Sequence, residues 1–281
     1  MDLLEGIKII NNCDVMLSEK LTCLELNNGY QETMATTTHG EKTNRIIYIP
    51  NNSWRNPTEQ EFDKLFDNRP PQFFSDAIEL FSLPSEIKIL FQSTDIHAAR
   101  NKKELEKAAS SESYKAAVKS LITFLSDRIL SEKDFEVQPA IFNPSGLLSV
   151  TYYPQDKTYS GLHFDNCQDI PMTQSHLARN RFCVNLGKEP RYFVYHNLLR
   201  EDMVKYISPK VDLAHPKAKE FIGKFLHENK HYPLTKLKLN PYDAYIAPIE
   251  RIMHDGYTKN MTSPDISLVI RGYFGISTKA P

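Results

Sequence analysis

Hydrophobic and polar positions follow different rhythms in the two halves of the chain. Before about residue 135 the longest apolar patterns step by three and four residues. After it they alternate in short runs broken by turn residues. In the first half, Leu21–Leu26 (LTCLEL) and Arg45–Pro50 (RIIYIP) read as strands. Thr58 followed by Glu61 predicts a capped helix over TEQEFDKLF. Pro70 and Pro71 should break it before FFSDAIELF resumes helical spacing. The clearest helix is predicted over Lys102–Leu130. There Tyr114, Ala117, Val118, Leu121, Ile122, Leu125 and Ile129 form one stripe suited to buttressing a sheet.

In the second half, strands are predicted at Val137–Phe142, Leu147–Tyr153, Arg181–Leu186, Arg191–Tyr195, Leu234–Leu239, Ala244–Ala247 and Ile266–Phe274. Turn signals such as NPSG, GKEP, NPYD and SPD punctuate them. The two runs flanking Gly187–Pro190 read as a β-hairpin with a short loop. Leu198–Lys230 turns helical again and reads as an insertion between strands. Short strands preceded by helices predict an α+β fold, a double-sheet β roll backed by helices. No linker or repeat divides the chain, so residues 1–281 are expected to form a single domain. Residues 1–134 would be mainly helical support with N-terminal strands, and 135–281 the β-roll core with its helical insertion near 198–230.

Composition narrows the partners. Lys plus Arg number 34 against 35 for Asp plus Glu, a formal net charge of −1, which gives no electrostatic reason to expect nucleic acid. A small-molecule substrate fits better. Cys13, Cys23, Cys167 and Cys183 form no CxxC pair, and the N-terminus is too charged for a signal peptide, so reduced thiols in a cytoplasmic protein are expected. No stretch approaches the ~20 apolar residues of a membrane span, and no membrane partner is expected.

The chemistry concentrates in GLHFDN. Residues i and i+2 of a strand share a face, so His163 and Asp165 converge while Phe164 points away. An imidazole and a carboxylate on one face make two neighbouring ligands of a metal. His254, in PIERIMHDG, is the candidate third, and two His with one carboxylate leave open positions suited to non-haem Fe(II). Each of these residues has a plain alternative: a surface HxD, or a hydrogen-bonded structural histidine. On the following strand Ser267, Val269, Arg271 and Tyr273 share a face. An Arg amid apolar residues is costly to bury unless it meets an anion, and its planar fork suits a carboxylate.

In the order His163, Asp165, His254, Arg271, the sequence resembles the Fe(II)/2-oxoglutarate-dependent dioxygenase superfamily, over about Leu147–Phe274. The resemblance implies a double-stranded β-helix (jelly-roll, cupin-like) core. It implies Fe(II) on His163, Asp165 and His254, with Arg271 gripping the far carboxylate of 2-oxoglutarate. It also implies oxidation of a small molecule, such as an amino acid or natural-product intermediate, by O2 with release of succinate and CO2. NPYD resembles the family's Pro-Gly-Asp turn, with Tyr242 in place of Gly. Where many members have Arg-x-Ser, this chain has Arg271-Gly272-Tyr273, so Tyr273 is the candidate second hydroxyl. Relatives that halogenate lack the carboxylate ligand; its presence here favours hydroxylation or a related oxidation. Asn185 and Tyr152 are further candidates for the co-substrate and Arg181 for an acidic substrate group, each against the alternative of a solvated or structural residue. Cys167 is not expected to ligate. Two other readings stay open: a metal enzyme that uses the triad without 2-oxoglutarate, and a non-enzymatic β-roll module.

Overall fold

In the computed structural model, which describes residues 2–11, 23–37, 41–67, 75–165, 168 and 170–275, side-chain alternation on a few strands builds two stacked cores. The first part of the chain gives β1 (Lys8–Asn11), β2 (Leu24–Leu26), β3 (Tyr30–Thr36), β4 (Lys42–Pro50), α1 (Glu59–Leu65) and β5 (Ala77–Ser82). Helices α2 (Ser85–Gln92), α3 (Lys102–Ala109) and α4 (Glu112–Leu125) follow. Next come β6 (Ile129–Val137), β7 (Ile141–Asn143), β8 (Tyr152–Tyr153) and β9 (Thr158–Tyr159). The rest supplies β10 (Asn180–Asn185), β11 (Arg191–Leu199), α5 (Arg200–Ile207), α6 (Ala218–Glu228) and β12 (Thr235–Leu239). It ends with β13 (Asp243–Ala247), β14 (Ile252–Tyr257) and β15 (Asp265–Phe274).

The larger sheet runs β1-β5-β13-β10-β15-β6, with β7 also on β15; the smaller runs β14-β11-β12-β2. Apart from the parallel β1–β5 pair, their ladders are antiparallel. On β15, Leu268, Ile270 and Phe274 join Phe182, Val184 and Ile246 on the face that α2–α4 cover. Val269 points the other way, with Cys183 and Tyr245, into a core shared with Phe193, Tyr195 and Leu237 of the smaller sheet. Period-two alternation thus feeds one face to the helices and the other to the inter-sheet space. The fold is α+β, with a large antiparallel sheet and a jelly-roll-like core backed by helices.

Several local expectations hold. Thr58 caps α1, accepting from the Glu61 amide at 3.3 Å while the Glu61 carboxylate accepts from the Thr58 amide at 2.8 Å. The predicted strands near residues 181, 191, 234, 244 and 266 form, as do two helices between 198 and 230. Other expectations are corrected. The segment AIELF is strand β5, not helix: it runs between β1 and β13 with five of six residues buried, and two-sided burial leaves no alternation to read. Phe73 and Phe74 before it lie outside the described residues. Lys102–Leu130 is two helices, because the Ser111 hydroxyl accepts from the Tyr114 amide and starts α4 anew; Ile129 already belongs to β6. Pro139 separates β6 from β7, and in Leu147–Tyr153 only the last two residues pair as a strand.

The largest correction concerns Arg181–Tyr195. β10 and β11 are not a hairpin: β10 pairs with β13 and β15, whereas β11 pairs with β12 and β14. The connection crosses between sheets. Asn185 makes the crossing, its Nδ2 donating to the carbonyls of Glu189 and Leu239 (both 2.9 Å) while its Oδ1 accepts from the Gly187 amide at 2.8 Å. A side chain that satisfies both strands' loose backbone groups replaces the hydrogen-bonded pairing a hairpin would have made. Among the described residues no helix is long and apolar enough to cross a membrane.

Candidate metal centre

A pair of backbone hydrogen bonds brings the two candidate histidines together. His163 N–H donates to the His254 carbonyl at 3.1 Å, and His254 N–H donates back at 2.8 Å. Residues paired this way stand side by side on one face, and the two rings lie 4.9 Å apart. The chain reaches this pairing through Gly161, whose φ of +69° is the left-handed conformation; a Cβ there would come within 2.5 Å of the Tyr48 carbonyl oxygen. Leu162 N–H donates to that carbonyl at 2.7 Å, and Asp165 N–H to the Ile249 carbonyl at 3.1 Å. Phe164 does not line the cavity that His163 and Asp165 line, as alternation requires, and packs partly buried against the large core.

Ligand-capable atoms of His163, Asp165 and His254 all lie within 4.8 Å of one another. Their hydrogen bonds leave the inward atoms available. His163 Nδ1 lies 2.8 Å from the Gly161 carbonyl and His254 Nδ1 lies 3.1 Å from the Ile252 carbonyl. A carbonyl only accepts, so each Nδ1 carries a proton; His254 Nε2 keeps its lone pair, and the proton a metal would displace is the one His163 Nε2 shares with Asp165. His254 Nε2 is buried with no hydrogen-bond partner; His163 Nε2 faces Asp165 Oδ1 at 3.3 Å. Burial, then the charges of Arg181 and His163, holds His254 well below the ordinary histidine range, so it is neutral at pH 7. Burial alone would raise Asp165, but the His163 hydrogen bond and the positive charge of Arg181 outweigh it and keep the carboxylate ionised. Burial likewise opposes charge on His163, yet the Asp165 hydrogen bond and the Asp255 charge raise its pKa. A neutral imidazole and an ionised carboxylate are the forms that bind metal, and the His163 proton is released when one does.

These side chains line a cavity of about 790 Å³ between the sheets. Tyr152, Arg181, Arg191, Cys183, Tyr245, Ser267 and Arg271 also line it. Arg271 and Arg181 sit opposite each other on β15 and β10 and flank Asp165, at 3.3 Å and 3.9 Å from its Oδ2. Arg191 occupies a different level. His254 pairs with Tyr195, and Arg191 is four residues from Tyr195 along β11, roughly 13 Å at about 3.3 Å per residue. Its Nε stands 2.9 Å from Asp265 Oδ1, at the start of β15, and the pair is buried. Burial disfavours the Arg191 charge, but Asp265 more than restores it.

Two expected site residues lie elsewhere. Asn185 is spent on the β10–β11 crossing described above, because it ends its strand where a turn claims its amide. Tyr273 does not line the cavity: its hydroxyl accepts from Gln168 Nε2 at 2.9 Å. A register shift between Arg271 and Tyr273 in the β15–β6 ladder interrupts the alternation that would have set it beside Arg271. Cys167 lies outside the described residues. Tyr242 does take a positive φ, +69°, in the NPYD turn where the resemblance has Gly. The sequence reading missed Asp255, Ser149 and Arg191. Asp255 accepts from the Ser149 hydroxyl and from Thr151 Oγ1 at 2.8 Å, and Ser149 Oγ accepts from the Gly161 amide at 3.0 Å. That relay fixes the turn carrying His163. Its one sequence signal was an Asp directly after His254.

Neither a family model nor a curated protein sequence matches the chain. Similar solved structures include the Kdo hydroxylase KdoO, a non-heme Fe(II) alphaketoglutarate-dependent dioxygenase in complex with alphaketoglutarate and Fe(III). It is 14% identical over 71% of this chain and 80% of that one, with a TM-score of 0.37. The iron and alpha-ketoglutarate-dependent endoperoxidase NvfI is 10% identical over 89% and 96% of the two chains, with a TM-score of 0.34.

Proposed function

We propose that the chain is an Fe(II)- and 2-oxoglutarate-dependent oxygenase of a small molecule, with a double-stranded β-helix core spanning one domain. His163, Asp165 and His254 would hold the iron. One observation carries this: two histidines whose Nδ1 protons are committed to carbonyls aim their Nε2 atoms at one point, beside an ionised carboxylate. When bound, iron(II) chelated by 2-oxoglutarate supplies O2 activation for oxidation of a C–H bond, with release of succinate and CO2. The retained carboxylate of Asp165 favours hydroxylation or a related oxidation. The protein's own part is to fix the ligands, bury the site between two sheets and present cations to the acids.

On this reading the co-substrate anchor is Arg191 rather than Arg271. A diacid that chelates the metal through one end places its other carboxylate away from the metal. Arg271 contacts the Asp165 carboxylate, which supports placing it beside the metal rather than at the far end of the co-substrate. Arg191 on β11 and Ser267 on the facing β15 both line the cavity, and Arg191, at a different level from the metal ligands, is the better anchor for the far carboxylate. Tyr152 lines the outer part of the cavity.

The class is tested by adding 2-oxoglutarate to the anaerobic Fe(II) protein and watching for a visible charge-transfer band. Metal binding with no band means the triad works without 2-oxoglutarate; no metal binding leaves a ligand-binding β roll. Arg191→Gln is expected to weaken 2-oxoglutarate binding about ten- to a hundredfold, since a charge-assisted hydrogen bond is worth about 1.5–3 kcal/mol. Arg191→Lys keeps the charge against Asp265 and should recover only part of it, lacking the planar fork. Overlaying titration curves for wild type and both variants would remove Arg191 from the site.

A further inference from the structure

We propose that the substrate carries a carboxylate or similar oxyanion, and that Arg181 and Arg271 receive it together beside the metal. This rests on the oxygenase reading above and names the substrate class for the same site.

The cavity's charges do not balance. Of its charged lining residues, Lys102 and Glu106 stand exposed at the rim, and Arg191 is matched by Asp265. Inside, two guanidiniums face one carboxylate, that of Asp165. A divalent metal on Asp165 makes the surplus larger, and a 2-oxoglutarate dianion removes only what the metal brought. One positive charge is left without an anion, next to the reacting centre and in a low-dielectric space where that is costly.

Geometry points the same way. Arg181 and Arg271 are direct cross-strand partners, so their side chains rise from the same wall side by side. Like charges so placed repel, and an anion held between them relieves the repulsion. Arg181 Nε and Arg271 Nε are both buried without a hydrogen-bond partner. Arg181 also lends Nη2 to the Tyr245 hydroxyl at 3.2 Å, which fixes its direction. Asp165 is shared thinly between them, with no contact under 3.3 Å, and a metal would draw it toward the two Nε2 atoms. Two forks with spare donors then border the cavity beside the three candidate ligands, a fit for the oxygens of a carboxylate. Held there, the substrate is oriented by its anion, and oxidation falls on a carbon at a fixed distance from it.

The test uses the anaerobic Fe(II)·2-oxoglutarate protein and three probes of equal chain length: hexanoate, hexan-1-ol and hexylammonium. Binding is followed by calorimetry and by perturbation of the visible band. Hexanoate is expected to bind at a single site at least tenfold more tightly than either other probe. Arg181→Gln should weaken hexanoate about ten- to a hundredfold and leave hexan-1-ol unchanged, with Arg181→Lys recovering part. The 2-oxoglutarate midpoint should stay within twofold in each variant, and their melting temperatures show that they fold. Equal binding of hexylammonium and hexanoate, or hexanoate binding that Arg181→Gln leaves intact, overturns the proposal while the oxygenase stands. Absence of the visible band in wild type overturns both.

Discussion

His163→Ala, Asp165→Ala and His254→Ala are each expected to abolish turnover and to weaken Fe(II) binding by more than the about 10–100-fold that changes around a metal's ligands usually cost. Each residue would supply one of three converging ligand atoms, and losing one leaves two to hold a labile divalent ion against water. The three variants should differ in the metal-free protein. His254→Ala removes a buried ring packed against Phe193 and leaves a cavity. Asp165→Ala leaves Arg181 and Arg271 facing each other with no carboxylate, and should lower stability most. The check is anaerobic Fe(II) binding by equilibrium dialysis, beside thermal melting and product analysis. A variant that keeps wild-type affinity and turnover is not altered in a ligand, and the assignment fails at that residue. The unmodified protein should give a product that has gained oxygen or lost hydrogen; a chlorinated product would contradict the role given to Asp165.

Arg251→Met should cost about 3–5 kcal/mol of stability, the usual consequence of removing one partner from a buried ionic network. Arg251 ties three elements together just ahead of His254. Its Nε donates to Glu201 Oε1 at 2.8 Å, and its Nη2 contacts the same carboxylate. Its Nη1 reaches Asp76 Oδ1 at 2.7 Å and the Ser75 carbonyl at 2.8 Å. Without it, Glu201 at the start of α5 loses its bonded guanidinium and keeps the Ser175 hydroxyl, and the entries to β5 and β14 lose their common anchor. For a domain of this size the loss corresponds to about 2–4 °C in Tm per kcal/mol. Glu201→Gln combined with Arg251→Met should cost less than the two changes summed, because each single change strands the other's group. A melting temperature unchanged by Arg251→Met would mean that the network is solvated.

The sequence by itself determined the local events. Thr58 and Glu61 capped α1 because the capping box is complete within four residues. The alternation in Ile266–Phe274 determined which side of β15 meets the helices. The HxD spacing put His163 and Asp165 together because a two-residue step on extended chain leaves little choice. Tertiary structure decided everything that depended on which strand lies next to which. No local pattern distinguishes a hairpin from a crossing at Gly187–Pro190; Asn185 decides it by bonding to Leu239, far off in sequence. β5 read as helix because its burial on both faces comes from neighbours that the segment itself does not encode. The level of each arginine along the cavity follows from cross-strand register, Arg271 with Arg181 and Tyr195 with His254. For that reason the order of motif residues pointed to three candidate ligands, while the placement of each cavity arginine relative to them emerged only when the two sheets were set face to face.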